Sequence, residues 1–228
     1  YFGDERAMIR LDMSEYQNMD SLDKLIGTSD GKSKGILTEA IRSKPFAVVL
    51  LDEIEKAHHK ILLTFLQVLD DGRLTDSTGR TVSFNNTIII ATSNVGTKKI
   101  QEITAREGAY EEIETAALNS VREQFAPEFL NRFTDVVVYK PLSYDHLKKI
   151  AMILLKKVKK VAEEKKVEVS FNQPLIDELI KRGYNPQWGA RPMTRVIEEN
   201  VETYLADKII SREVKKGDVI QLGMEVFE

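Results

Sequence analysis

The chain has no cysteine, which removes disulfides and thiol-ligated metals from consideration and is compatible with a reducing compartment. No apolar run approaches the roughly 20 residues that a helix needs to span a bilayer. Neither sign of charge dominates. Lys and Arg number 33 against 36 Asp and Glu, a net charge of -3, so there is no global pull toward nucleic acid or an anionic membrane. Histidine is scarce. His58 and His59 are adjacent and cannot share one helix face, and His146 stands alone, so no metal-ligand spacing is present. No Ser-His-Asp arrangement has supporting context. A signal peptide is also missing, because Tyr1-Phe2-Gly3-Asp4 offers neither a basic start nor an apolar stretch. With no starting Met, the chain is read as a fragment or a processed product.

What remains is an ordinary globular balance over 228 residues, 42% apolar and 30% charged, enough for one large domain or two smaller ones. Met8 to Met13 alternates apolar and polar and reads as a strand. Ala47 to Leu51 is a continuous apolar run, the pattern of a strand buried on both faces, and Ile88–Ala91 and Val136–Tyr139 repeat it. Between them, Ile61, Phe65 and Leu69 with Leu62 and Leu66 mark one helical face, and Leu118 to Phe125 a second helix. Alternating strands and helices predict an α/β domain, a parallel sheet with helices on both faces.

The texture changes near Pro141. Ser143 suits the N-cap of a long helix with an apolar face at Leu147, Ile150, Ala151, Leu154, Val158 and Val161 and a solvated lysine face opposite. Val167 to Phe171 reads as a short strand. Asn172 then caps a helix with Pro174 in its first turn and Gly183 at its end. A last helix carries Met193, Ile197, Val201, Leu205 and Ile209 four apart, and Gly217-Asp218 turns into a strand at Val219 to Leu222. The expected division is a large α/β domain over 1–140 and a small, mainly helical α+β domain over 141–228.

Leu50-Leu51-Asp52-Glu53 puts two carboxylates directly after a buried strand. Ligands of open parallel sheets bind beyond the carboxyl ends of the strands. There an aspartate can hold magnesium through water, and a glutamate can orient or deprotonate an attacking water. The same two acids also suit a helix N-terminus, where negative charge is favoured.

The wider context resembles one family. Val48 to His58 (VVLLDEIEKAH) looks like the Walker B segment of the Clp ATPases, a branch of the AAA+ proteins. The similarity continues through Leu66 to Asp76 (LQVLDDGRLTD), Ala91 to Gly96 (ATSNVG), Phe125 to Phe133 (FAPEFLNRF), Gly183 to Pro186 (GYNP) and Gly189 to Pro192 (GARP), in the family's order. The best counterpart is the second ATPase ring of ClpB, ClpC and their relatives. The resemblance implies an ATPase that uses ATP and magnesium and couples hydrolysis to protein unfolding or disaggregation, as a hexamer acting on protein substrates in the cytoplasm or an organelle matrix. It implies that Asp52 supports magnesium and Glu53 activates water, and that Asn94 is sensor 1. Arg132 becomes the arginine finger that acts in trans, and Arg191 the sensor 2 that contacts phosphate from the small domain. Arg195 is left to packing or a surface pair, and Trp188 to packing.

Three departures qualify that resemblance. The family's GxxxxGK[ST] phosphate loop is expected upstream, because Tyr1 to Met8 look like the end of the helix that follows it. The near miss Gly27-Thr28-Ser29-Asp30-Gly31-Lys32-Ser33 is one residue short and has no strand leading into it. An aromatic pore loop should precede Leu37-Thr38-Glu39-Ala40, but the stretch there is polar, with Lys32, Ser33 and Lys34. Lysine copies poorly the apolar grip of an aromatic. The apolar-Gly-Phe or Gly-Leu tripeptide of relatives that partner the ClpP protease is not found in 97–114, which favours a ClpB-like disaggregase over a ClpP-bound unfoldase. Two competing readings remain. One is an assembly or regulatory AAA+ module without turnover. The other is a transcription activator or clamp loader, which should show a Gly-Ala-Phe-Thr-Gly-Ala loop or a DNA-binding segment; neither is visible.

Overall fold

The computed structural model describes residues 7–228. The chain divides into two compact units, 1–139 and 140–228. The reading of Tyr1 to Met8 as a helix end lies largely outside the described residues; Met8 itself opens a strand.

The first unit runs β1 (Met8–Asp12), α1 (Ser21–Ile26), α2 (Ile36–Ser43), β2 (Ala47–Asp52), α3 (His59–Asp71), β3 (Arg73–Thr75), β4 (Thr81–Ser83), β5 (Thr87–Ala91), α4 (Thr97–Ala105), α5 (Tyr110–Gln124) and α6 (Pro127–Leu130). β1, β2 and β5 form one sheet in the order β1-β2-β5, parallel throughout, with Asp12 opposite Asp52 and Leu51 opposite Ala91. β3 and β4 make a separate antiparallel hairpin. Ala47, Val49 and Leu51 alternate onto one face of β2 and are fully buried with Leu37 and Ile41 of α2 and Ile61 and Phe65 of α3. Burying the side chains larger than Ala47 is worth about 1.5–3 kcal/mol each, so this face fixes the register and with it the level at which the three strands end. The opposite face departs from the expected double layer: Met8, Ile88 and Ile90 remain close to half exposed on it.

Val136–Tyr139 does not form the expected strand. Val137 and Tyr139 are 71% and 88% exposed. The segment has β-forming residues but no partner strand among the described residues, and its Val138 carbonyl accepts instead from the Tyr110 hydroxyl at 2.9 Å. The helix expected over 118–125 is longer, starting at Tyr110.

The second unit contains α7 (Tyr144–Glu164), β6 (Glu168–Phe171), α8 (Gln173–Gly183), α9 (Arg191–Val196), α10 (Thr203–Ile210) and β7 (Val219–Leu222). Ser143 caps α7 in a reciprocal capping box with His146, and the Asn172 side chain caps α8 through the Leu175 amide at 3.0 Å. β6 and β7 pair in parallel. The buried face of α7 is Leu147, Ala151, Leu155, Val158 and Ala162. This corrects the expected set, since Val161 is 57% exposed and the stripe includes Leu155 and Ala162. The single helix expected around Met193–Ile209 is three segments, with a π-turn at Ile197–Glu202 between α9 and α10. Each four-residue step in an α-helix overshoots a full turn by about 40°. A four-apart stripe therefore drifts off one face unless a wider turn absorbs the excess, and Met193, Ile197, Val201 and Leu205 all stay buried across it.

Candidate active site

The site grows from the ends of β1, β2 and β5. β2 ends at Asp52 and β1 at Asp12, directly across the register. Arg10, two residues back on the same face of β1, ion-pairs with Asp52. The Thr92 hydroxyl, just past β5, donates to Oδ1 of the same carboxylate. Asp12 accepts from the Ser14 hydroxyl at 2.6 Å and amide at 3.0 Å, and these bonds hold its carboxyl below the usual range.

Beyond Asp52 the backbone turns sharply. Glu53 adopts φ 54°, ψ 52°, the left-handed region that a non-glycine residue enters only under constraint. Thr92 supplies much of that constraint. Its Oγ1 accepts from the Glu53 amide at 3.2 Å and its carbonyl from the Ile54 amide at 2.9 Å, while its own amide donates to the Leu51 carbonyl at 2.9 Å. Ile54 is buried and anchors a short 3-10 turn, Ile54–Lys56. Asn94 then bridges the two carboxylates that follow Asp52. Its side-chain Nδ2 donates to Oε1 of Glu53 at 3.0 Å, and its backbone amide donates to Oε1 of Glu55 at 3.2 Å.

Asp52, Glu53 and Asn94, which sequence reasoning singled out, are thus brought together. Arg10, Thr92 and Glu55, which it missed, complete the cluster. Period-two alternation places Arg10 on the face of Asp12, a signal that was there to use. No local pattern announces that Thr92 and Glu55 bond across from neighbouring strands.

Arg132 is not bonded into this cluster. Pro127 starts the single turn of α6, and Phe129 anchors it, stacked with Phe125 at 5.9 Å and edge-on to Phe133 at 5.3 Å. The turn leaves Arg132 partly exposed, where its guanidinium pairs with Asp70 in the last turn of α3. Arg191 belongs to the second unit, as the first residue of α9. Gly183 brings the end of α8 against α9, since a Cβ there would meet Met193 at 2.7–2.8 Å. Arg191 is exposed at the start of α9, and Arg195 pairs along the surface with Glu199 at 2.6 Å. Trp188, expected to pack, is 57% exposed. Its turn is instead closed by Asn185, whose side chain accepts from the amides of Gln187 at 2.8 Å and Trp188 at 3.2 Å.

The stretch resembling a phosphate loop is a self-closed turn. Thr28 N–H donates to the Ser33 carbonyl at 2.9 Å, Gly31 N–H to the Thr28 carbonyl at 3.0 Å, Lys32 N–H to Asp30 at 3.1 Å and Ser33 N–H to the Thr28 hydroxyl at 3.0 Å. A phosphate cradle needs those amides aimed outward, and a helix rather than a strand leads in. As for magnesium, no group of three or more His, Asp or Glu among the described residues could hold an ion. Asp52 offers one carboxylate at a strand end, which fits a water-mediated hold on an ion whose other ligands are waters and phosphate oxygens.

The comparisons with known proteins agree on one lineage. The family model "AAA domain (Cdc48 subfamily)" matches residues 1–136, and "C-terminal, D2-small domain, of ClpB protein" matches residues 142–222. The chain is 47% identical to "Chaperone protein ClpB" of Aquifex aeolicus, over 95% of this chain and 22% of that protein. It is 42% identical to "Chaperone protein ClpB 1" of Synechocystis, over 100% of this chain and 26% of that one. It is likewise 42% identical to "Chaperone protein ClpC, chloroplastic" of Pisum sativum, over 99% and 26%. The chain therefore spans 22–26% of the length of these relatives. A parallel sheet ending in an Asp-Glu pair whose glutamate accepts from Asn94, followed by a ClpB-type small unit, places this chain in the AAA family as a Clp-type ATPase domain.

Proposed function

We propose that the chain is the ATPase core of a Clp-type unfoldase or disaggregase, closer to the ClpB than to the ClpP-bound kind. The observation that carries this reading is the Glu53–Asn94 pair at 3.0 Å beyond the carboxyl ends of the parallel strands. Magnesium, when bound with ATP, would neutralise charge on the phosphoryl oxygens. Asp52 would hold it through water, giving up Arg10 or Thr92 as a partner. Glu53 would take the proton of the attacking water, and Asn94 would fix that water or the terminal phosphate. Arg132 would leave Asp70 to reach a neighbouring subunit's site, where a planar cation stabilises charge spread over the phosphoryl group. Arg191 would contact phosphate from the small domain, 141–228, and tie nucleotide state to the angle of the large domain, 1–140. The assembly would be a homohexamer acting on protein substrates, in the cytoplasm or an organelle matrix. No described helix is long and apolar enough to cross a membrane.

The test is Glu53→Gln in the full-length protein. Turnover should fall by about 10²–10⁴-fold, the usual weight of a positioned acid–base group, with nucleotide binding kept within a few fold. Unchanged turnover would sink the reading. A second reading, an assembly module without turnover, is favoured by the self-closed Gly27–Lys34 turn. A wild-type protein that assembles but never hydrolyses ATP would select it.

A further inference from the structure

Glu55 has no role in the reading above, yet only one of its two carboxylate oxygens is hydrogen-bonded. Its Oε1 accepts the Asn94 amide at 3.2 Å. Its Oε2 is buried and has no hydrogen-bond partner, the one such side-chain atom found among the described residues. A half-satisfied carboxylate is expensive under a protein surface, because a buried acceptor has lost water without replacement. Packing alone would be served better by an apolar side chain of similar size. The bond to Asn94 is what the carboxylate provides in return.

Geometry makes that bond matter. The left-handed turn at Glu53 and the 3-10 turn after it send the carboxylates of Glu53 and Glu55 to the same residue. Glu53 holds the side-chain amide of Asn94 and Glu55 holds the backbone amide. We propose that Glu55 is a positioning residue for the candidate active site, holding Asn94 by its backbone so that the side chain of Asn94 stays in place when Glu53 turns to water. The proposal rests on the roles given to Glu53 and Asn94 above. In that reading the Glu53 carboxylate turns to the attacking water, and the Glu55 contact with the Asn94 backbone does not depend on Glu53 keeping its own bond to Asn94. Only Oε1 is needed, so a glutamine can substitute and an alanine cannot.

The experiment has two readouts. In the full-length protein, Glu55→Ala should lower kcat about tenfold or more while KM changes less than about twofold, since small misplacements of a reacting constellation cost one to two powers of ten. Glu55→Gln should recover most of the rate. In the 228-residue chain, the Asn94 amide should exchange with solvent at least about tenfold faster in Glu55→Ala but near the wild-type rate in Glu55→Gln, in proportion to the lost protection. The Ile54 amide, bonded to the Thr92 carbonyl, should be unaffected in both. Wild-type turnover in Glu55→Ala would overturn the proposal whatever the exchange data, and so would equal losses in both variants with Ile54 deprotected, the mark of a merely structural residue. Glu53→Gln is the control. If it leaves turnover unchanged, the functional reading fails, while Asn94 exchange still reports whether Glu55 holds that residue.

Discussion

Two turns of the first unit make opposite use of similar polar residues. The turn Thr28–Ser33 closes on itself: its amides and side-chain oxygens bond one another, and little is left to offer a ligand. The turn Asp52–Lys56 is under-satisfied. It forces a glutamate into the left-handed region, leaves a buried carboxylate oxygen without a partner, donates its Glu53 amide to Thr92 and accepts from Asn94. By motif spelling, the first looks more like a phosphate site. By hydrogen-bond capacity, the second is the better candidate for the proposed site, because its carboxylates bond side chains that a ligand could displace.

That contrast can be broken or sharpened by substitution. Asn94→Ala should lower turnover by about 10²-fold in the full-length protein, the usual cost of removing one pre-oriented donor, and a kcat effect with little change in KM would place that donor in the transition state. A moderate effect on stability, not chemistry, is expected from Asp76→Ala. Asp76 is buried in the turn between β3 and β4 and accepts from the Thr78 hydroxyl at 2.7 Å, the Thr78 amide at 3.0 Å, and the Arg80 amide and Nε at 2.9 Å, with Arg42 at 3.3 Å. Loss of this satisfied network should lower Tm by about 5 °C or more, read by calorimetry. Burial pushes the Asp76 carboxyl up, but the donors from Thr78 and Arg80 outweigh it and hold it far below the ordinary value of 3.8. A carboxylate lowered on folding stabilises the fold above its unfolded pKa and loses that contribution as pH falls through the folded value. The wild-type advantage over the variant should therefore be constant at neutral pH and shrink only below about pH 4. The smallest effect is expected from Lys32→Ala. Titration with a fluorescent ATP analogue and magnesium should give the same affinity within about twofold, the scatter of an exposed charge change. A clear loss would show that the self-closed turn does meet phosphate.

Much of this arrangement was legible in the residues. The run Ala47–Leu51 and its trailing acids specify a buried strand and the position of Asp52 and Glu53, and Ser143 and Asn172 declare their helix starts. The misses have physical causes. Val136–Tyr139 carries strand residues, but a strand exists only with a partner, which no local pattern can report. The stripe on α7 lies one residue away from the expected one at its end because Leu154 and Leu155 are equally apolar and only the packing of the unit chooses between them. Trp188 reads as core by size, yet its neighbours Asn185 and Gly189 close a turn that carries it outward. Thr92 and Glu55 were invisible for a different reason. Their roles depend on the register between β2 and β5 and on the left-handed turn at Glu53, neither of which has a spacing signature.

The π-turn at Ile197–Glu202 works as a vernier between α9 and α10, taking up angle rather than length. Each residue of an α-helix advances the face by about 100°. Removing a single residue between Met193 and Leu205 would swing α10 by that amount and carry Leu205 and Ile209 away from the core they now join. The count of residues in this stretch is thus as much a part of the fold as their identity, and a substitution there should be better tolerated than any insertion or deletion.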